Sequence, residues 1–216
     1  MFRRPRQKVA VFFLSGICAI IYLYDELIAT SDVTIIFMLY KTEGVVIRRR
    51  DLGDFDRLLT VYTQDFGKIL VKAKSIRKNQ SKLRGHLELF LRSHLMVAPG
   101  RGFDIITGAE TIESYPLLHG DLSALAAAYY LSELADKLVS GPEKDERIWE
   151  LFLSSLRQLD QKNYDLASVV KNFEDELLNF LGYGEERTDA VDFVQSLLNE
   201  EINSRVFLQK AVSLVE

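Results

Sequence analysis

The hydrophobic and polar positions change period near Pro116. Upstream, short runs alternate apolar and polar residues with a period of two, which predicts strands. YKTEGVVIRRRD (40–51) centres on β-branched Val45, Val46 and Ile47, DRLLTVYTQ (56–64) is a second run, and DFG (65–67) turns into a third, KILVKAKS (68–75). In that third run Ile69, Val71 and Ala73 alternate with Lys68, Leu70, Lys72 and Lys74. One face therefore packs, and the other, mostly lysine, is open to phosphates. HLELFLRSHLMVA (86–98) reads as a fourth strand, and FDIITGAETIES (103–114) as a fifth after the PGRG turn at 99–102.

Five short strands at such intervals predict a small barrel, and the OB-fold has this size and strand number, with an SH3-like barrel as the alternative. From Pro116 the period becomes helical. DLSALAAAYYLSELADKLV (121–139) has Asp121 in position to cap its first turn and Gly141-Pro142 to stop it. RIWELFLSSLRQLDQ, DLASVVKNFEDELLNFLGYG, DAVDFVQSLLNEEI and SRVFLQKAVSLV continue as amphipathic helices. The predicted class is α+β and multidomain. A five-stranded OB-fold barrel at 38–115 precedes an all-α helical domain at 116–216.

The first 37 residues follow neither pattern. MFRRPRQK precedes VAVFFLSGICAIIYLY (9–24), a 16-residue stretch without a charge. Positive residues before an apolar run form a signal-peptide or signal-anchor pattern. The run is short for a membrane span of about 20 residues. Translation from Met38 is the third reading.

Charge sharpens the division. Residues 38–115 hold 14 Lys and Arg against nine Asp and Glu, whereas 116–216 hold nine against 19, in a chain of net charge -4. A basic module that meets a polyanion, joined to an acidic module, fits this asymmetry. The basic set is Arg48, Arg49, Arg50, Arg57, Lys68, Lys72, Lys74, Arg77, Lys78, Lys82, Arg84 and Arg101. Each alone reads as a solubilising surface residue; together, on adjacent strands and loops of one barrel, they are candidates for a groove that tracks a phosphodiester backbone by counterion release. Phe55, Tyr62, Phe66 and Phe103 are candidate base-stacking groups, although burial is the expectation for all four.

Catalytic chemistry is not legible. There is no Gly-x-Ser-x-Gly, no phosphate-cradling glycine loop ending in Lys-Ser/Thr and no His-Glu-x-x-His. His86 and His94 read as strand residues, the Glu174-Asp175 pair as a solvated helix face, and Tyr129, Tyr130, Phe173 and Phe180 as core. Cys18 is the only cysteine and the three histidines lack ligand spacing, so neither a disulfide framework within the chain nor a structural metal is expected. No cofactor is predicted.

In order along the chain, YKTEGVVIRRRDLGDFDRLLTVYT (40–63), FGKILVKAKSIRKNQSKLRGHLELF (66–90), GAETIESYPLLHGDLSALAAAYYLSEL (108–134) and FEDELLNFLGYG (173–184) resemble the RecO family of recombinational DNA repair proteins. The resemblance implies an amino-terminal OB-fold, a helical carboxyl domain and a mediator that makes and breaks no covalent bond. It implies binding to single- and double-stranded DNA, strand annealing, contact with single-strand-binding protein (SSB), and action with RecR to load RecA, without a small-molecule substrate. Those roles belong to the cytoplasm and nucleoid and favour translation from Met38 over a membrane anchor. The rival readings are a membrane-anchored OB-fold interaction protein and an RNA-binding module.

Three departures stand out. The four-cysteine zinc site that many members carry is replaced by EERTDAVDF (185–193), Ser75 stands where glycine is expected, and Leu89 where proline is usual. The backbone of the 75–90 loop is therefore expected to differ from the family's.

Overall fold

The computed structural model describes residues 8–14, 17–23, 39–183, 193–194, 196 and 202–214. They divide into two compact units, Met1–Leu39 and Tyr40–Glu216. In the first, β1 (Lys8–Leu14) and β2 (Ile17–Leu23) pair antiparallel, with Lys8 opposite Leu23 and Leu14 opposite Ile17. No helix among the described residues is long and apolar enough to cross a membrane. Met38 lies outside the described residues.

In the second unit, β3 (Tyr40–Leu52), β4 (Asp56–Thr63), β5 (Gly67–Ala73), β6 (Arg92–Ala98) and β7 (Asp104–Glu113) close a barrel in the order β3-β4-β5-β7-β6. All neighbours are antiparallel except β5 and β7, which run parallel through Val71 opposite Asp104 and Lys72 opposite Ile105. This is the five-stranded OB-fold arrangement. The alternation expected of β5 holds, with Val71 and Ala73 buried and Leu70 exposed.

The fourth strand is shorter than its hydrophobicity predicts. HLELF is not extended: Arg84–His86 form a 3-10 turn and Phe90 has φ +66°, so pairing begins only at Arg92. His86 consequently sits in a turn, its Nδ1 accepting from the Thr111 amide at 3.2 Å. The apolar residues of this segment are buried because it plugs one end of the barrel: Leu87 and Phe90 have no exposed surface, and neither does Ile76 of the loop after β5. Contiguous burial and strand pairing are different demands, and here only the first is met.

The helices are α1 (Pro116–Gly120), α2 (Leu122–Leu138), α3 (Glu146–Leu159), α4 (Leu166–Phe180) and α5 (Asn203–Ser213). Asp121 accepts from the amides of Ser123 and Ala124 and caps α2, as its position predicted, and Asp145 does the same for α3. Tyr130 and Phe173 are core, Tyr129 and Phe180 partly buried. Glu174 is not simply solvated, since it accepts from the Tyr130 hydroxyl at 2.5 Å. Most of DAVDFVQSLLNEEI, and all of EERTDAVDF but Phe193, lie outside the described residues.

Barrel and helices share one hydrophobic core. Tyr62 of β4 stacks on Trp149 of α3 with ring centroids 6.3 Å apart and also meets Phe152, while Phe90 stands edge-on to Tyr129 of α2. Gly67 (φ +60°) presses so closely on the α2–α3 connection that a Cβ there would lie 2.1 Å from the Glu143 carbonyl oxygen. Arg92 of β6 bonds Glu43 of β3 and Glu113 of β7, and Glu113 in turn takes both Arg157 donors of α3 at 2.9 and 3.0 Å.

Candidate nucleic-acid interface

Residues opposite each other in adjacent strands share a face, so the register assigns the outward surface of the barrel. Arg48, Thr60 and Leu70 lie on one outward row, and Arg50, Leu58 and Lys72 on the next. Arg48 and Arg50 reach this side because the β3–β4 register shifts between Val46 and Arg48, a bulge that turns every residue beyond it by one face. A third row, Tyr62 and Lys68, is roofed by the helices, Tyr62 by Trp149 and Lys68 by α2. The outward face therefore has a helix-covered end at Lys68 and an open end at exposed Lys74 and partly exposed Lys72, although Leu58, between Arg50 and Lys72, is itself buried.

The predicted cations divide accordingly. At the covered end, the Lys68 ammonium lies 3.5 Å from an Asp136 carboxylate oxygen and also donates to the Asp136 carbonyl, while Arg48 donates to the other carboxylate oxygen at 3.1 Å. Arg57 sits at the barrel mouth between Asp51 (3.2 Å) and Glu88 (4.0 Å), its side chain only 18% exposed. Arg49 also pairs with Glu88. Arg57 and Lys68 are largely enclosed in these pairs, whereas Arg48 and Arg49 pair with carboxylates while still reaching solvent.

At the open end, Lys72 pairs with Asp56 at 2.8 Å on the surface. The Lys72 ammonium, with the Ser75 amide, holds the Asp56 carboxyl below its ordinary range. Arg77 donates to the Gly53 carbonyl and lies 3.4 Å from Asp51, and the Lys78 ammonium stands 5.1 Å above the Phe55 ring. Arg50, Lys74, Lys82, Arg84 and Arg101 are exposed and have no carboxylate within 4 Å among the described residues.

The loop after β5 is anchored despite its departures from the family pattern. Ser75 adopts φ +53°, the left-handed conformation that glycine holds without strain. Its amide donates to Asp56 at 2.7 Å and its carbonyl accepts from the Lys78 amide at 3.1 Å. The loop thus keeps a glycine-type bend with serine in place, and the Arg77 amide, bonded to the Phe55 carbonyl at 3.0 Å, lays it along the β3–β4 hairpin.

Two of the four candidate stackers behave as expected and two do not. Tyr62 is buried and Phe66 is packed edge-on to Tyr40. Phe55 and Phe103 are instead 51% and 39% exposed, at the tips of the β3–β4 and β6–β7 loops. They escape burial because a hairpin tip has no second layer to pack against.

Two family profiles match this chain in order: Recombination protein O N terminal over residues 38–115 and Recombination protein O C terminal over residues 119–192. The chain belongs to the RecO family. A DNA repair protein RecO of Dehalococcoides mccartyi is 37% identical over 159 residues, 74% of this chain and 62% of that protein. One of Roseiflexus sp. is 38% identical over 144 residues, 67% of this chain and 50% of that protein. A third, of Desulforudis audaxviator, is 36% identical over 147 residues, 68% of this chain and 58% of that protein. The chain spans about half to three fifths of the length of these RecO relatives.

Within this RecO chain, sequence reasoning missed Asp136. It lies 88 positions from Arg48 and 68 from Lys68, in an unremarkable helical stretch, ELADKLV, and no local pattern marks it as their partner. Asp51, Asp56 and Glu88 were missed likewise, although Asp51 and Asp56 flank the β3–β4 turn and bracket its cations in sequence.

Proposed function

We propose that this chain is a DNA repair and recombination mediator. It binds single- and double-stranded DNA through the open end of the barrel, promotes annealing, and works with RecR to load RecA on SSB-coated DNA in the cytoplasm. It is not an enzyme in this reading: the surface attracts and aligns strands, and no covalent step is required. The observation that carries the DNA-binding part is the run of solvent-reaching cations from Lys72 and Lys74 through Arg77, Lys78, Lys82 and Arg84, flanked by Arg50 and Arg101. Such a run neutralises successive phosphates and releases their counterions. The annealing, loading and partner roles are supported by family membership and by relatives that bear the name DNA repair protein RecO.

The test is the titration of single-stranded DNA against the chain with Lys74, Arg77, Lys78, Lys82 and Arg84 replaced by Ala. Affinity falls at low salt, and the slope of log K against log[salt] flattens by about 0.7 for each phosphate no longer neutralised. An unchanged affinity and slope would remove the DNA assignment from this loop.

A further inference from the structure

The exposure of Phe55 and Phe103 is unexplained by phosphate attraction, because neither ring carries charge. Large apolar side chains at hairpin tips cost hydration free energy unless something covers them. Their placement is informative. Arg57 pairs with Ala73, so the β3–β4 tip with Phe55 lies beyond the carboxyl end of β5. The parallel pairing of Val71 with Asp104 sets Phe103, one residue earlier, beside Leu70 at the middle of β5. Phe103 therefore flanks the middle of β5 on the β7 side, and Phe55 lies beyond its carboxyl end on the β4 side, roughly 15 Å farther along the strand direction. Leu70, 44% exposed, lies beside Phe103, Lys72 lies between the two rings, Lys74 and Lys78 are at the Phe55 end and Arg101 is at the Phe103 end.

We propose that Phe55 and Phe103 stack on unpaired bases and strengthen the hold of this surface on single strands relative to duplex. The proposal rests on the DNA-binding reading above and adds the groups that read strandedness. Charge identifies the occupant: an apolar peptide has no reason to lie among Lys72, Lys74, Lys78 and Arg101, whereas a single strand offers phosphates to the cations and π-faces to the rings. Duplex DNA keeps its bases stacked internally and presents only phosphates here. Lys78 above Phe55 closes one side of that ring and supplies a charge for a phosphate of its own. The span between the rings suits a few nucleotides, within the about 4–16 that an OB-fold covers.

The experiment uses the full chain with Phe55→Leu and Phe103→Leu, singly and together, and three probes of equal length: oligo-dT, a duplex, and a strand of abasic sites. The double variant is expected to bind oligo-dT about 10- to 100-fold more weakly, with duplex and abasic affinities within about twofold of the parent. Phe55→Trp retains oligo-dT affinity. An unchanged oligo-dT affinity in the double variant overturns the proposal, as does an equal loss on all three probes, which would mean that the rings support the fold or the hold on the phosphates. Loss of a protein partner with DNA binding intact also overturns it, in favour of a peptide surface. The five-fold Ala variant of the basic loop, titrated in parallel, separates the two readings. If that variant loses affinity while the Leu variants do not, only the stacking fails; if neither does, the DNA reading of this surface fails with it.

Discussion

The Lys68 ammonium of β5 lies 3.5 Å from the Asp136 carboxylate of α2, the same group that accepts from Arg48 of β3. A helix thereby contributes an anion that occupies two barrel cations where a phosphate would otherwise sit. Replacing Asp136 by Asn removes that charge from both, frees Arg48, and leaves Lys68 its bond to the Asp136 backbone carbonyl. Single-stranded DNA binding is expected to tighten about three- to tenfold at low salt, with the salt slope steeper by about 0.7–1.4 as one or two further phosphates are neutralised. The cost in stability should be about 1 kcal/mol, since the pair is partly solvated. Weaker DNA binding in this variant would mean that Asp136 positions the face rather than competing for it.

Ser75→Gly tests the strain in the basic loop. A serine at φ +53° carries about 1–2 kcal/mol of steric cost that glycine lacks, offset by about 0.5–1 kcal/mol of added chain entropy. The variant is expected to gain about 0.5–1 kcal/mol in urea unfolding with DNA affinity unchanged. Ser75→Val should lose stability, because a β-branched residue resists this bend more strongly.

Gly67→Ala should cost about 2 kcal/mol or more, because φ is +60° and the new Cβ would strike the Glu143 backbone. Helix content should persist while the covering of the Lys68 end loosens. Faster amide exchange in 67–70 and 141–145 would record that loosening.

Acid sensitivity follows from Glu113. The Arg157 guanidinium, with a further bond from Arg92, holds its carboxyl below the ordinary glutamate range. The folded-state pKa is therefore lower than the unfolded one. Its stabilisation is fully present above the ordinary value and is lost as pH falls through the folded value. Glu113→Gln should cost about 1 kcal/mol at pH 7, and the gap between variant and parent should shrink progressively below about pH 4.5. A gap independent of pH would assign the cost to packing.

Much of the fold was legible because its signals are local. The lysine face of β5, the Asp121 cap and the helical stripes repeat at about 2 or 3.6 residues, so short windows contain them. The fourth strand misled because Leu87, Leu89 and Phe90 are buried as an irregular plug, and hydrophobicity does not distinguish a plug from a strand. The candidate site was half legible. Its cations were readable as a set, but their division into occupied and open groups depends on Asp136, which reaches them only through tertiary structure. The exposure of Phe55 and Phe103 was hidden for a related reason: an aromatic residue is driven inward on average, and only the position of a loop tip decides otherwise.

The stack of Tyr62 on Trp149 has a consequence for how the molecule comes apart. With one ring supplied by a barrel strand and the other by a helix, cutting the chain near residue 115 would strip both of their cover at once. Either half expressed by itself should then aggregate or melt at a lower temperature, and the intact 40–214 region should give a single calorimetric peak. Its two halves share a melting point as well as a boundary.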